Sequence, residues 1–575
     1  MPRLVALCAV VCLLPSLFMA ALPNTPPAFA QTPAGRNLVF STYLGGTLPF
    51  AGASPLTFAQ NAASDAAGNT YVTGATQVYD LSVRNAFQSA PAADCAMAAF
   101  VAKFSPVGQL LWCTYLGGNK QSMGIGVAAM PDGGVAVSGL TTSDTAGAFP
   151  TKNAFQAQNN GLSDYFLAVF DAQGGLRYAT YLGGSGEEGT PQPNTFADDS
   201  NNGNNVAVDA NGLVYVTGIT DSGADKAIEF PVTPNALQHK LAGGKDAFLC
   251  IIDPGRSGSE SLTYASFLGG KGDDKGHSVA VDASGGHIAV AGFTNSQDFP
   301  VTATALRDTA PPVGYSSNGY VTQIGSSQPG SPASQYTLLY STYLGGNTVE
   351  ARDDAYGVAL DPTGLLVATG RTQSADFPMT QGGATIYNRA TYLEPGKSGD
   401  EPYVVKIDPA RSGSDSLVYA TFLGGGSKTD AWGSFCTSLG LDGQGGVYVA
   451  GETCAPGQAY TPGDPSAPET FPYTNNALFT ALQGSWDAIF MQIAPGGTVL
   501  GYSTYLGGSA NDRTYGLAVD SARNVVLSGL TFSENFPLRN PAKTWPGNIG
   551  YQNAFVAKFA PNVPETGPCF LLLGN

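Results

Sequence analysis

The chain has 575 residues, 12% of them charged, with 43 Asp+Glu against 26 Lys+Arg and a net charge of −17. So acidic a surface repels phosphate backbones and excludes a nucleic-acid binder. With 10% aromatic residues and 74 glycines, the composition excludes a disordered chain and fits an all-β protein rich in tight turns.

Residues 1–30 read as a cleaved secretory signal: Arg3, an apolar run from Leu4 to Leu22, then Ala28-Phe29-Ala30. No later run approaches the roughly 20 apolar residues of a membrane helix. The mature chain is therefore expected to be exported, whether secreted, held at the cell surface or periplasmic. A strand follows from Leu38 to Leu44, ending in the phrase Thr42-Tyr43-Leu44-Gly45-Gly46. Near-copies of it begin at Thr114, Thr180, Ser266, Thr342, Thr421 and Thr504, at spacings of 72, 66, 86, 76, 79 and 83 residues. Self-similarity at such a period points to a repeat architecture.

Between phrases the same signals return in order. An apolar run ends in Asp (Val206 to Asp209), a Gly-bearing turn follows, and a second run ends in Gly (Val214 to Gly218). A longer loop, usually with Phe-Pro (Phe149-Pro150, Phe299-Pro300, Phe536-Pro537), leads to a third run, often opened by Asp or Asn: Asp164, Asp246, Asn553. The fourth run carries the phrase. Runs separated by turn residues read as hairpins, and four consecutive antiparallel strands repeated radially make a propeller blade. The chain opens on a fourth strand and finishes on a third, Ala554 to Phe559. The N-terminal strand is thus expected to complete the last of seven blades and close the ring, leaving no open edge. The expected organisation is a signal over 1–30, an all-β seven-bladed propeller over 31–561 and a tail over 562–575.

Tyr340-Ser-Thr-Tyr-Leu-Gly-Gly346, Tyr356-Gly-Val-Ala-Leu-Asp361 and Asp376-Phe-Pro378 resemble the bacterial SBBP repeat, named for a seven-bladed β-propeller. The resemblance spans about residues 38–561 and implies a secreted or surface propeller, with no common activity to carry over. Units one and two depart most, lacking an acidic pair after Gly-Gly.

Insertions concentrate at 190–204, 308–318, 383–401 and 455–470, on the expected long-loop face, where function is sought. Two candidate sites follow. Glu187, Glu188, Asp273, Asp274, Asp353, Asp354, Asp430 and Asp512 lie just after Gly-Gly; they would either gather round one channel mouth and hold Ca²⁺, or cap turns and bond backbone amides of neighbouring blades. Trp432, Trp486 and Trp545 would either form a ligand-binding patch, as indoles do on sugar faces, or pack between blades. Cys436 and Cys454 flank one hairpin and are the expected disulfide. The histidines are His239, His277 and His287. His277 is expected at the surface beside turn aspartates, and no catalytic histidine motif appears. These features favour a noncatalytic exported module, a monomer that presents its loops to a glycan or an extracellular protein. The alternatives are a carbohydrate-active lyase or hydrolase using long-face carboxylates, and a structural spacer.

Overall fold

The computed structural model describes residues 36–561 except 145–147, 190, 192–201, 311–316, 349–350, 375, 381–385, 387–399, 426–433, 462–469 and 546–550. The signal at 1–30 and the tail at 562–575 lie outside the described residues. Among those residues seven four-stranded antiparallel sheets succeed one another, over 57–116, 122–182, 206–268, 274–344, 353–422, 435–506 and 512–561, the last joined by Arg36–Leu44. We number these blades 1 to 7. Their first strands touch in a closed circuit, blade 1 to 2 and onward to blade 7, which returns to blade 1. This is a seven-bladed β-propeller.

Both faces of a blade are covered by its neighbours, so its inner strands read as continuous apolar runs rather than alternating ones. Val135–Thr141 and Val214–Thr220 are buried at every position. The outermost strands do alternate at their start: Tyr336–Leu344 exposes Thr337 and Leu339 before disappearing into the blade.

The ring closes as the chain order requires. Arg36–Leu44 pairs with Asn553–Pro561, Thr42 opposite Val556 and Tyr43 opposite Phe555. Arg36 fixes the strand's start: its guanidinium donates to the Arg523 carbonyl at 2.8 Å and to Gln492 Oε1 at 2.9 Å, and lies 5.2 Å from the Tyr448 ring centre.

The two sequence signatures of each repeat meet in one contact. The phrase tyrosine donates to the backbone just after the second strand, Tyr343 to Ser296 O at 3.0 Å and Tyr43 to Ser533 O at 2.7 Å. The Phe-Pro phenyl packs nearby at a tilt, Phe149 against Tyr181 at 5.4 Å and Phe471 against Tyr505 at 4.5 Å. The phrase threonine accepts a backbone N–H from the same loop, as Thr180 does from Gln156 at 2.9 Å. Several loops between strands two and three therefore run down the outer strand and pair with it, Lys152 with Ala179 and Arg539 with Ser41. They cover an edge that would otherwise invite pairing with other chains.

At the opposite end of the blades, aspartates close the first hairpins. Asp209 Oδ1 accepts from the backbone N–H of Asn211 and Leu213, each at 2.9 Å, and Asp361 and Asp520 repeat the arrangement. Lys406 and Lys558 then pair with the second oxygen, at 2.7 and 3.3 Å. Much of the chain's acidity is spent on turns.

Candidate functional site

The axis of a propeller is its usual cavity, and here residues 202–205 occupy it. Six first strands carry a register shift at the same level, such as Gly276/Ser278 and Ala355/Gly357. Blade 3 differs. Its first strand is only Val206–Val208, and the residues ahead of it leave the sheet. Asn61 of blade 1 donates to Gly203 O at 3.2 Å, and Asn204 exchanges bonds with the Val127 backbone of blade 2. Asn205 donates to Ser138 at 3.3 Å, and His277 of blade 4 bonds Asn202 O at 3.1 Å. Gly203 has φ +96°, and a Cβ there would lie 2.4 Å from Tyr356 O and 2.5 Å from His277 O. Only glycine fits so close a backbone approach. One segment thereby touches blades 1, 2, 4 and 5.

Where the blades cross over near this axis, a rim of short parallel bridges links neighbours: Gln552 with Leu56, Met97 with Gln121, Ser163 with Glu187, Lys245 with Asp273, Ser317 with Arg352. Between blades 6 and 7, Asp512 N donates to Trp486 O at 2.8 Å. The rim is two-sided. Around blades 1 and 2 the side chains beneath it are apolar, with Leu56, Phe58, Met97, Met123 and Leu140 buried together with Leu530 of blade 7. From blade 5 to blade 7 buried ion pairs take their place. Arg371 Nε lies 2.9 Å from Asp354 Oδ2 and its NH1 3.6 Å from Asp400, while Arg513 lies 2.9 Å from Glu452, all at most 4% exposed.

Strand alternation sorts the expected cation ligands. In the pairs Glu187-Glu188 and Asp273-Asp274 the first residue stands on the rim, Glu187 half-buried and Asp273 exposed, and the second turns inward, since successive side chains point to opposite faces; in blade 5 Arg352 takes the rim position and Asp353 the inward one. Glu188, Asp274, Asp353 and Asp512 are 0–2% exposed and sit in four separate blade junctions. Asp274 Oδ2 accepts from Gly270 N and from Ser296, both at 2.7 Å; Asp512 accepts from Gly508 N at 2.7 Å and from Ser533 at 2.8 Å. Asp353 does the same with Gly346 N and Ser374. Asp354 points instead toward Arg371. Burial pushes its pKa up, but Arg371 and His277 outweigh burial and hold it below the usual value. Asp430 lies outside the described residues. Among the described residues no three His, Cys, Asp or Glu side chains come together as a metal would need.

The residues that complete these junctions are the acids opening the third strands. Asp164, Asp246 and Asp487 are fully buried and face Glu188, Asp274 and Asp512 of the next blade. Burial first, then the facing carboxylate, raises Asp246 to about 6. Burial against the Gly508 and Ser533 bonds raises Asp512 to about 7. At these three junctions the first Gly of the Gly-Gly sits where the two side chains meet. A Cβ at Gly269 would lie 2.6 Å from Asp274 Oδ2 and 2.7 Å from Asp246 Cγ. The sequence showed these acids as strand openers; their partners became visible only once the ring placed one blade's third strand against the next blade's first.

The indoles occupy different settings. Trp486 is half-buried on the rim, with the Arg513 guanidinium 5.8 Å from its ring centre. Trp545 packs edge-on against Tyr43 at 5.1 Å, in the loop covering the outer strand of blade 7. Trp432 lies outside the described residues. His277 corrects its surface reading: it is 3% exposed, and burial lowers its pKa to about 3. Cys436 and Cys454 are not bridged. Cys436 pairs with Gly451, so Cys454 stands three residues beyond its register partner, a displacement of about 10 Å that no disulfide spans.

No family model matches the chain. Residues of the chain are 23% identical over 309 positions to the regulatory protein FlaEY of Caulobacter vibrioides, covering 50% of this chain and 30% of that protein. The chain thus spans under a third of that relative's length. Among solved structures, polysaccharide lyase Uly1 aligns at TM-score 0.37 and 7% identity over 92% of this chain and 98% of that one. Puromycin hydrolase aligns at 0.35 and 11% over 83% and 50%, and a gluconolactonase from Xanthomonas campestris at 0.27 and 12% over 72% and 95%. Among the described residues, no helix is long and apolar enough to cross a membrane.

Proposed function

We propose that this is an exported, noncatalytic interaction module of the SBBP type, a closed ring that offers the loops at its rim to a glycan or protein ligand. The observation that carries the reading is the division of labour between repeated and unrepeated residues. The carboxylates that recur from blade to blade accept from backbone amides and hydroxyls, and the axis is filled by Asn202 to Asn205. What differs between blades lies at the rim, where Trp486 exposes part of an indole over Arg513 at the 6/7 junction, while Lys245, Asp273 and Arg352 stand at the 3/4 and 4/5 junctions. A half-exposed indole on a rigid strand start is a low-entropy contact for a sugar face or an aromatic side chain. A Ca²⁺ ion at the rim would use its exposed members, Glu187 and Asp273, rather than the buried ones.

The test is binding of residues 31–575 to a broad glycan array with Ca²⁺ present. Selective binding lost in Trp486→Ala, with the melting temperature unchanged, supports a lectin-like module. Turnover of any bound glycan would contradict the noncatalytic reading and favour the lyase or hydrolase.

A further inference from the structure

We propose that three of the blade junctions are proton-holding clasps, each binding one proton between two buried carboxyls, so that the ring is held more tightly in mildly acidic than in alkaline surroundings. The junctions are Asp164 with Glu188 between blades 2 and 3, Asp246 with Asp274 between blades 3 and 4, and Asp487 with Asp512 between blades 6 and 7. The geometry is shared by the first two, while at the third Asp487 Oδ1 also accepts from Gly484 N at 3.1 Å. One oxygen of the third-strand acid is taken up on its own blade: Asp164 Oδ2 accepts from Gln156 at 2.6 Å and Asn160 N at 3.1 Å, Asp246 Oδ2 from Gln238 at 2.7 Å and Ala242 N at 2.9 Å, Asp487 Oδ2 from Gln483 N at 2.7 Å. The first-strand acid is likewise engaged by Ser222, Ser296 or Ser533 of its own blade. At each junction one carboxyl oxygen lies close against the other carboxyl, Asp164 Oδ1 by Glu188 Oε2, Asp246 Oδ1 by Asp274 Oδ2 and Asp487 Oδ1 by Asp512 Oδ2. Asp164 Oδ1, Glu188 Oε2, Asp246 Oδ1, Asp274 Oδ1 and Asp512 Oδ1 have no donor. A Cβ at Gly183 would lie 2.5 Å from Asp164 Oδ1 and 2.8 Å from Glu188 Oε2, so the two oxygens crowd one spot. Two anions cannot share it, but an acid and a carboxylate satisfy each other.

No lysine or arginine among the described residues pairs with any of the six. The titratable groups that face them are Tyr165 and Tyr181 at the first junction, Tyr320, Tyr343 and Asp273 at the second, Tyr505 and Tyr43 at the third. None supplies a countercharge. The chain itself contains the neutral isostere: Asn318 and Asn553 open the third strands of blades 4 and 7 at the matching position.

The sign follows from linkage. The folded carboxyls hold protons that the unfolded ones release, so this stability is complete below the unfolded value near 4 and is lost as pH rises through the folded values of about 6 for Asp246 and Asp487 and about 7 for Asp512. The experiment is calorimetric unfolding of the full mature chain at pH 6 in two buffers of different ionisation enthalpy, beside the triple variant Asp164→Asn, Asp246→Asn, Asp487→Asn. The wild type is expected to release about three more protons on unfolding than the variant, and the variant to keep its melting temperature between pH 5 and 8 where the wild type loses it. Equal proton release by both overturns the proposal. Should the variant not fold, a wild type that releases no protons and melts equally at pH 5 and 8 overturns it alone. A melting temperature at pH 8 that rises with added Ca²⁺ in the wild type, and not in single Asp→Asn variants, would put a cation where we place the proton and also overturns it.

Discussion

Two neighbouring junctions, 3/4 and 4/5, use the same crossing and the same first-strand acid, yet are built from opposite charges. At 3/4, Asp274 faces Asp246, and the loop residue Gln238 donates to that acid and accepts from Gly269 N at 3.0 Å. At 4/5, Asp353 faces Asn318, and the loop residue is Arg307, which donates to Gly345 O at 2.7 Å. Junction 7/1 follows the second pattern, with Asn553 opening the strand and Lys543 donating to Gly45 O. At 2/3 and 3/4 a third-strand acid thus goes with a loop amide, and at 4/5 and 7/1 a third-strand amide goes with a loop cation, while at 6/7 the matching loop position is Phe479 and Asp487 is held by backbone N–H groups. One backbone geometry tolerates both because the glycine between them leaves a space that either pair fills. The lesson is that a repeat fixes where polar groups meet, while their charge state is set junction by junction.

The largest expected effect tests whether the ring depends on closure at all. Deleting residues 31–46 removes the outer strand of blade 7, with Phe40, Tyr43 and Leu44 all at most 2% exposed. Large buried side chains cost about 3–5 kcal/mol each when truncated, so the loss is of the same size as the 5–15 kcal/mol that a domain usually has. A cooperative melt preserved in that deletion would show that the strand is dispensable.

The glycine claim predicts a difference between junctions. Gly269→Ala drives a methyl into Asp246 and Asp274 and is expected to cost about 3 kcal/mol, whereas Gly117→Ala, where the nearest atom is Ser122 Oγ at 3.3 Å, is expected to cost under about 1 kcal/mol. Chemical denaturation midpoints compare them, and equal costs would separate the glycine from the carboxyl pair. A smaller effect of opposite pH sign is expected at the axis. His277 is buried neutral, so its stability is present above its unfolded value of 6.5 and lost as pH falls toward its folded value of about 3. His277→Gln should therefore gain on the wild type by about 2–3 kcal/mol between pH 7.5 and 4.5, read as the change in their difference in melting temperature. No such gain would place the ring of His277 in contact with water.

Much of this was legible in the chain. The Thr-Tyr-Leu-Gly-Gly and Phe-Pro signals named the strands because the tyrosine and the phenyl are two halves of one local contact, and the fourth-strand start at Leu38 announced the closure. The junctions were half legible. Asp246 and Asp274 each stood out at a strand start, but 28 residues apart nothing local says that they touch; that follows from the radial arrangement of blades. The segment from Asn202 to Asn204 read as part of a surface insertion because its partners, Asn61, Val127 and His277, are 75 or more residues away along the chain. The expected bridge of Cys436 failed on register, which a single β-bulge at Cys436/Ser438 helps to set.

The most direct measurement is a reciprocal exchange between the two compared junctions, reading the melting temperature at pH 5 and pH 8. Asp246→Asn should shrink the drop between the two pH values. Asn318→Asp made together with Arg307→Gln, which rebuilds the carboxyl pair opposite Asp353, should enlarge it. Burial raises Asp353 as well, so the comparison rests on the change each exchange makes to the wild-type drop. Opposite changes are the predicted result; two exchanges that leave the drop unaltered, or alter it in the same direction, would contradict the account.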